Sequence, residues 1–401
     1  MATVINRSLT CKFNFIKNVI IFFINKKYYF SIPPKNPYVI INENGKELLE
    51  RCIGKAFYSI DITKSINIYI FLKTFFKCIS KKNFDPYFEY YIYSLSPVAV
   101  FCYTANYMQF YRISKDKKIT YIAIQNGANL GKGQFQIYQK KIKKKYYCDY
   151  MFCYGEFDKK LMSKVVEAKF YKIGSFVSNM IKKKKKKFAN SISYISTYRN
   201  FNKGYGKDST IGRDISFENF YSTEKIILNF LNDFCKKRKI KLKILGCTRS
   251  AGHLKELIFY KKILLTKGWV YLPRKNFTSN YIESDQSTVV SFIDSSLGYE
   301  SLGRYNKTAA FCVRGHHLKI KGFKFSVGNL PKVGPFWSSN LDLNSCEKIL
   351  NYLLKINQDQ WLKIWDKYSD KICKFDTGNK IFFRILMKKK LIKKRKYYYF
   401  N

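Results

Sequence analysis

The segment Val289–Arg314, VVSFIDSSLGYESLGRYNKTAAFCVR, carries the residues best suited to chemistry. An apolar strand, Val289–Ile293, runs into Asp294-Ser295-Ser296-Leu297-Gly298; a helix is expected from about Tyr299 and a second strand from Thr308. Asp and Ser side chains accept the orphan N–H groups of a helix start. The same N–H groups, backed by the helix dipole and flanked by the small residues Ser295, Ser296 and Gly298, also suit a phosphate. Glu300 falls in the expected first turn, where its carboxylate would accept hydrogen bonds from sugar hydroxyls. An ordinary capped strand–turn–helix, with Glu300 favouring the dipole, is the other reading of these residues.

Several other chemistries are poorly supported. Gly127-Ala-Asn-Leu-Gly131-Lys132-Gly133 imitates a phosphate-cradling P-loop, but one spacer is missing and no Ser or Thr follows the lysine. There is no G-x-G-x-x-G after a strand and no G-x-S-x-G nucleophile elbow. No D-x-D carboxylate pair exists, which disfavours a metal-dependent transferase. The 11 cysteines show no C-x-x-C spacing, and with 3 histidines, two of them the neighbours His316 and His317, no zinc constellation forms. An odd number of scattered thiols suits a reducing compartment, so a cytoplasmic location is expected.

Short apolar runs alternating with amphipathic stretches must position these residues, and that alternation is the signature of β-α units around a parallel sheet. In the first half the expected strands are Val19–Phe23, Tyr38–Ile41, Ala56–Ile60, Val98–Cys102, Thr120–Ala123, Tyr150–Cys153 and Lys169–Ile173. Six consecutive lysines, Lys182–Lys187, then interrupt the pattern as a self-repelling, solvated run. It restarts with strands at Ile192–Ile195, Leu242–Leu245, Trp269–Leu272, Val289–Phe292 and Thr308–Phe311. The fold class is therefore α/β. The expected organisation is an N-terminal Rossmann-like domain over 1–180, a lysine-rich linker over 181–191, a C-terminal Rossmann-like domain over 192–375 and a basic, aromatic tail over 376–401. Two doubly wound domains facing a cleft would hold ligands beyond the carboxyl ends of their strands.

With that order in place, Asp294-Ser-Ser-Leu-Gly-Tyr-Glu300 resembles the D-S-[ST]-L-G-Y-E-x-L motif of bacterial surface-carbohydrate biosynthesis transferases, which are similar to the two-domain GT-B glycosyltransferases. Gln125-Asn126-Gly127, Lys172-Ile-Gly-Ser175, Ser196-Thr-Tyr-Arg199 and Gly334-Pro-Phe-Trp337 agree in order, so the resemblance spans roughly Pro97–Trp361. It implies a glycosyltransferase, or a relative moving another nucleotide-activated group, in cell-surface polysaccharide biosynthesis. A nucleotide-sugar donor would be held in the interdomain cleft by the C-terminal domain, with a glycan or lipid-linked acceptor on the N-terminal side and neither metal nor separate cofactor. By this resemblance Ser295, Ser296 and Gly298 would sit at the donor phosphates and Glu300 at ribose or sugar hydroxyls. Arg199 and Arg249 would neutralise the diphosphate, since a guanidinium matches phosphate bidentately. Related polymer-forming transferases often read Gln-His-Gly where this chain has Gln125-Asn126-Gly127; Asn126 takes no proton at neutral pH, so it is expected to orient an acceptor hydroxyl. An inverting transfer wants a base near that hydroxyl, and Glu43 and Asp61, each after a strand, are the two candidates.

Lys plus Arg is 75 against 27 for Asp plus Glu, a net charge of +48. Lys, Ile, Asn, Phe and Tyr are abundant together, which A/T-rich codons explain in part, so the charge alone does not make a nucleic-acid protein. A non-enzymatic nucleic-acid or anionic-surface binder is nevertheless the rival class, with Lys143–Tyr147 and Lys393–Phe400 as its mixed basic and aromatic stretches; nucleic acid is the less expected partner. No run is long and apolar enough for a membrane span. The tail Ile381–Phe400, apolar then basic then aromatic, is expected to dock peripherally on the inner face of the cytoplasmic membrane.

Overall fold

The computed structural model describes residues 26–113, 116, 118–128, 144–183, 189–199, 216–248, 252–319, 324–325 and 330–393. The expected strand Val19–Phe23, Arg249, the loop 129–133 and the basic stretch 394–401 lie outside them.

Among the described residues fourteen strands appear in chain order: β1 Lys27–Tyr29, β2 Tyr38–Ile41, β3 Tyr58–Ile60, β4 Ser65–Asn67, β5 Ala99–Cys102, β6 Thr120–Ile124, β7 Tyr146–Cys153, β8 Val166–Lys172, β9 Ala189–Ile195, β10 Lys241–Leu245, β11 Trp269–Leu272, β12 Ser287–Phe292, β13 Thr308–Phe311 and β14 Trp337–Ser338. They form two six-stranded sheets, β3-β2-β5-β6-β7-β8 and β11-β10-β9-β12-β13-β14, and a small β1-β4 ribbon. Every ladder is parallel. Parallel strands are covered on both faces and so read as apolar runs such as the fully buried Tyr38–Ile41 and Ala99–Cys102.

In the second sheet the chain starts in the middle at β9, winds out to β11, then returns to lay β12 to β14 on the other side. Its direction reverses between β9 and β12. In the first sheet the reversal falls between β2 and β5. Open α/β sheets bind ligands at such reversals, beyond the carboxyl ends of the strands. The architecture is thus α/β with two Rossmann-like units, as the alternation of runs indicates.

Some helix starts are set by local side-chain caps. Ile66–Phe76 is rich in β-branched and aromatic residues, yet Ile68–Lys81 is a helix, because the Asn67 side chain caps it by accepting the Ile70 N–H at 3.0 Å. The helix Phe217–Lys237 starts at a Ser216 cap whose side chain accepts from the Asn219 N–H.

The carboxyl segment is not a free tail. Residues 380–388 form a helix whose Phe382, Phe383, Ile385 and Leu386 are buried with Tyr38, Ile40, Ile173 and Phe176 of the first unit. The Phe382 ring lies 5.0 Å from Phe152 and 4.9 Å from Phe176. Those side chains fill a core, so the expectation that they anchor a membrane is overturned; an apolar residue cannot serve both surfaces. The crossing strand of chain is stitched down by Asn179, whose amide donates to the Asn379 side chain at 2.8 Å and whose carbonyl accepts from the Gly378 N–H at 2.8 Å. Gly174 is required here: at φ +75° its absent Cβ would stand 1.8 Å from the Lys374 carbonyl oxygen. The lysine run also begins anchored, with Ile181 buried and the Lys183 ammonium donating to the Arg304 carbonyl; β9 then starts at Ala189, before the expected Ile192.

Candidate active site

The carboxyl edges of the two sheets meet. Just after β6, the Ala128 N–H donates to Ser296 Oγ at 3.1 Å, and Ser296 follows β12 in the second sheet. Just after β7, the Tyr154 hydroxyl donates to Glu300 Oε1 at 2.7 Å. The segments expected to face each other across a cleft, Gln125–Gly127 and Asp294–Glu300, are therefore brought together.

On the second unit, Asp294-Ser295-Ser296 and Ser196-Thr197-Tyr198-Arg199 follow β12 and β9, the two strands flanking the reversal point. Ser295 and Ser296 are partly exposed and Arg199 is exposed. The helix begins at Ser296, three residues earlier than expected, with Ser295 at the cap position in an extended conformation. Neither polar residue caps it as the sequence suggested. The Ser295 side chain makes no cap bond, and Asp294 is committed elsewhere.

Asp294 pairs with Arg314, whose Nε donates to it at 3.0 Å. Arg314 also donates to Glu224 Oε1 at 2.5 Å and to the Phe220 carbonyl, and its guanidinium lies 3.7 Å from the Phe220 ring centre. Glu224 in turn accepts from Thr197 Oγ1 at 2.8 Å, so one buried network fixes the turns after β9, β12 and β13. Burial opposes the Arg314 charge, but Asp294 and Glu224 outweigh it and push its pKa up. Burial raises the Glu224 carboxyl pKa, against the pull of Arg314.

A second buried carboxylate orders the loop after β10. Glu256 accepts from Ser196 Oγ at 2.5 Å, from the N–H groups of Cys247 and Thr248 at 3.0 Å each, and from the Tyr271 hydroxyl at 3.0 Å. The chain continues from Thr248 into Arg249.

Glu300 occupies a different place from the one expected. With the helix starting at Ser296 it lies one turn in, only 6% exposed. Besides Tyr154 it accepts from Ser175 Oγ at 2.8 Å and from the Tyr281 hydroxyl at 2.5 Å. Tyr154 and Ser175 belong to the first unit and Tyr281 to the second, so the carboxylate ties the units together. Burial, reinforced by the Glu300 charge, pushes the Tyr154 and Tyr281 phenols well above their ordinary range and keeps them protonated as donors. Three protein hydroxyls thus hold the carboxylate that the sequence offers to sugar hydroxyls.

Gly298 is buried under β12: a Cβ there would meet the Phe292 ring at 2.2 Å. A ring root cannot swing aside as a flexible chain end does. Gly298→Ala is expected to lower stability by about 1–3 kcal/mol, measured by urea unfolding, and pairing it with Phe292→Leu is expected to recover part of that loss.

On the first unit, Gln125 is buried and both ends of its amide hold backbone: Oε1 accepts from the Tyr154 N–H at 3.0 Å, and Nε2 donates to the Gly127 carbonyl at 2.7 Å. It shapes the turn that presents Asn126, which is exposed, and Gly127, whose absent Cβ would lie 3.0 Å from Ser296 Oγ. Glu43 and Asp61 lie together after β2 and β3. Asp61 is buried and caps its own turn, accepting from Thr63 Oγ1 at 2.6 Å, from the Thr63 N–H at 3.0 Å and from the Glu43 N–H at 3.3 Å. Glu43 is half-exposed, ion-paired with Lys64, and lines a cleft of about 670 Å³ with Lys26, Lys27, Tyr28, Tyr29 and Thr63. Among the described residues no group of three or more His, Cys, Asp or Glu is placed to hold a metal.

Sequence reasoning missed Tyr154, Tyr281, Glu224, Glu256 and Arg314. Arg314 ends the motif segment and Ser175 stood in a noticed stretch; the others gave no local signal, because the partners of Glu300 lie as far as 146 residues away in sequence.

Two Rossmann-like units meeting at their carboxyl edges define a GT-B-like protein. The profile of a family assigned to O-antigen biosynthesis matches residues 122–391, and the chain belongs to that family. This places it in the making of a cell-surface polysaccharide. The fold is similar to that of a Listeria monocytogenes protein assigned as a UDP-N-acetylglucosamine 2-epimerase, at a TM-score of 0.51 and 10% identity over 92% of this chain and 100% of that one. The wall teichoic acid polymerase TagF aligns at a TM-score of 0.48 and 10% identity, over 96% of this chain and 98% of that one. A search of the curated proteins finds no match.

Proposed function

We propose that the protein is a glycosyltransferase of surface-polysaccharide assembly, moving a sugar from a nucleotide-activated donor to a glycan or lipid-linked acceptor. The observation that carries this reading is the meeting of the β9–β12 reversal point, with Arg199, Ser295 and Ser296, and the Asn126–Ala128 turn of the opposite unit. Membership of an O-antigen biosynthesis family supports it, and the names of aligned structures include a UDP-GlcNAc complex and a polymerase soaked with CDPG.

In this reading the donor diphosphate sits over the start of the helix Ser296–Gly303, where backbone N–H groups and the helix dipole favour an anion. Arg199 and Arg249 supply the charge that offsets the leaving diphosphate, with no metal or separate cofactor. Gly298 lets the helix lie close on β12, and Glu300 holds the units in register beneath the donor. Asn126 orients the acceptor hydroxyl, and Glu43, the more exposed of the two carboxylates, is the better placed to take its proton.

Thermal shift against a panel of nucleotide sugars tests this directly. A cognate donor at about a hundred times its Kd should add roughly 2.7 kcal/mol of stability. Arg199→Ala is expected to weaken that donor by about tenfold or more without lowering the ligand-free Tm. A shift with nucleic acid and none with any nucleotide sugar would overturn the reading. Conversion of the donor sugar to an isomer with no transfer would reassign the site to an epimerase.

A further inference from the structure

The helix Ile68–Lys81, IYIFLKTFFKCISK, is apolar on two opposite faces. Its inner face buries Ile70, Phe71, Thr74 and Cys78, and the helix packs on the helix Asp85–Leu95 within the core of the first unit. Its outer face carries Leu72, Phe76 and Ile79, which are 67%, 82% and 44% exposed. Spacings of four and three residues place these three side chains in one stripe along the helix. Nothing among the described residues covers it. A helix that is apolar all round is ordinarily buried on both sides, so the stripe calls for an occupant.

The charge around it selects that occupant. Lys73 borders the stripe, Lys77 and Lys81 step round the helix away from it at four-residue intervals, all three are exposed, and the helix contains no acidic residue. A second copy of the chain seated on the stripe would bring together two chains of net charge +48 each, which is repulsive. An anionic lipid surface meets both needs: its acyl boundary takes the apolar side chains and its headgroups take the ammonium groups. The apolar surface continues past the start of the helix, where Phe30 and Ile32 are 74% and 65% exposed and the Ser31 carbonyl accepts from Asn67, the cap residue, at 2.9 Å.

We propose that this helix face, rather than the carboxyl segment, docks the protein on an anionic membrane. The inference goes beyond the transfer reaction and does not depend on which group is transferred. It has a geometric consequence for the reaction. The cap of this helix ends β4, whose first residue, Ser65, lines the cleft that also contains Glu43 and Lys64. A lipid-borne acceptor would reach that cleft along the docked surface.

Vesicle co-sedimentation of the full chain decides it. The parent is expected to bind phosphatidylglycerol-containing vesicles, less so as salt screens the lysines, and to bind pure phosphatidylcholine poorly. Leu72→Gln/Phe76→Gln/Ile79→Gln keeps every lysine and is expected to keep the parent Tm, since all three side chains are exposed, yet to bind about tenfold more weakly. Lys73→Gln/Lys77→Gln/Lys81→Gln is expected to weaken binding and flatten its salt dependence. Equal binding by the apolar triple variant and the parent overturns the proposal, as does a parent that ignores anionic vesicles. A dimer by light scattering that the apolar triple variant turns into a monomer overturns it too, by assigning the stripe to a second copy.

Discussion

Glu300→Ala is expected to destabilise the protein by about 3 kcal/mol and to loosen the junction between its two units. Three hydroxyls, of Tyr154, Ser175 and Tyr281, donate to this one carboxylate. Removing the acceptor leaves three donors in a largely buried site, and each buried donor without a partner costs about 1–3 kcal/mol unless water reaches it. An exposed glutamate would change stability by less than about 0.5 kcal/mol, so the measurement separates the two placements cleanly. In thermal unfolding the loss corresponds to a drop of roughly 6–12 °C for a unit of about 200 residues. Glu300→Gln is expected to sit between variant and parent. Its amide oxygen still accepts from Tyr154 and Ser175, while its amide nitrogen then confronts the Tyr281 oxygen. Donor binding in the proposed reaction should fall with both variants, and further with Ala, because the seat over Ser296 is then held less firmly against the turn at Ala128.

Arg314→Met should be more damaging still, by about 3–5 kcal/mol. The side chains of Arg314, Glu224 and Asp294 are 0%, 0% and 7% exposed, so deleting the cation leaves two carboxylates in a low-dielectric site without their countercharge. The diagnostic comparison is the triple variant Arg314→Met/Glu224→Gln/Asp294→Asn. Neutralising all three groups is expected to restore much of the lost stability, because a buried ion network owes its sensitivity to the uncompensated partner rather than to a large net gain. If the single variant unfolds at the parent urea midpoint, the network does not hold the turns after β9, β12 and β13. Recovered stability without recovered donor binding would show that the network also sets the geometry of Ser295, Ser296 and Arg199.

The strand-forming core runs were plain in the sequence because a strand buried on both faces shows an unbroken apolar run, and Tyr38–Ile41 and Thr308–Phe311 appear where that reading puts them. Helices were harder. Ile68–Lys81 carries strand-like residues, yet it is capped by Asn67 and packs as a helix on the helix Asp85–Leu95. The fate of Phe382–Leu386 was hidden for a similar reason. Apolar residues beside lysines look alike whether they meet a lipid surface or a core, and a return to the first unit some 200 residues back leaves no local mark.

At the site, the sequence by itself determined the chemistry on offer: small residues and an acid after β12, an arginine after β9 and a Gln-Asn-Gly turn after β6. It also determined two α/β units, because alternation of short apolar runs with amphipathic ones is a local property of the chain. Only the tertiary structure decided that β9 and β12 are neighbours, that Asp294 serves Arg314, and that Glu300 joins the units instead of standing at the cleft mouth. The physical reason is that strand order and the pairing of buried charges depend on contacts between residues remote in sequence. A carboxylate's role is set by which donors the fold brings to it, and that information is absent from its immediate neighbours.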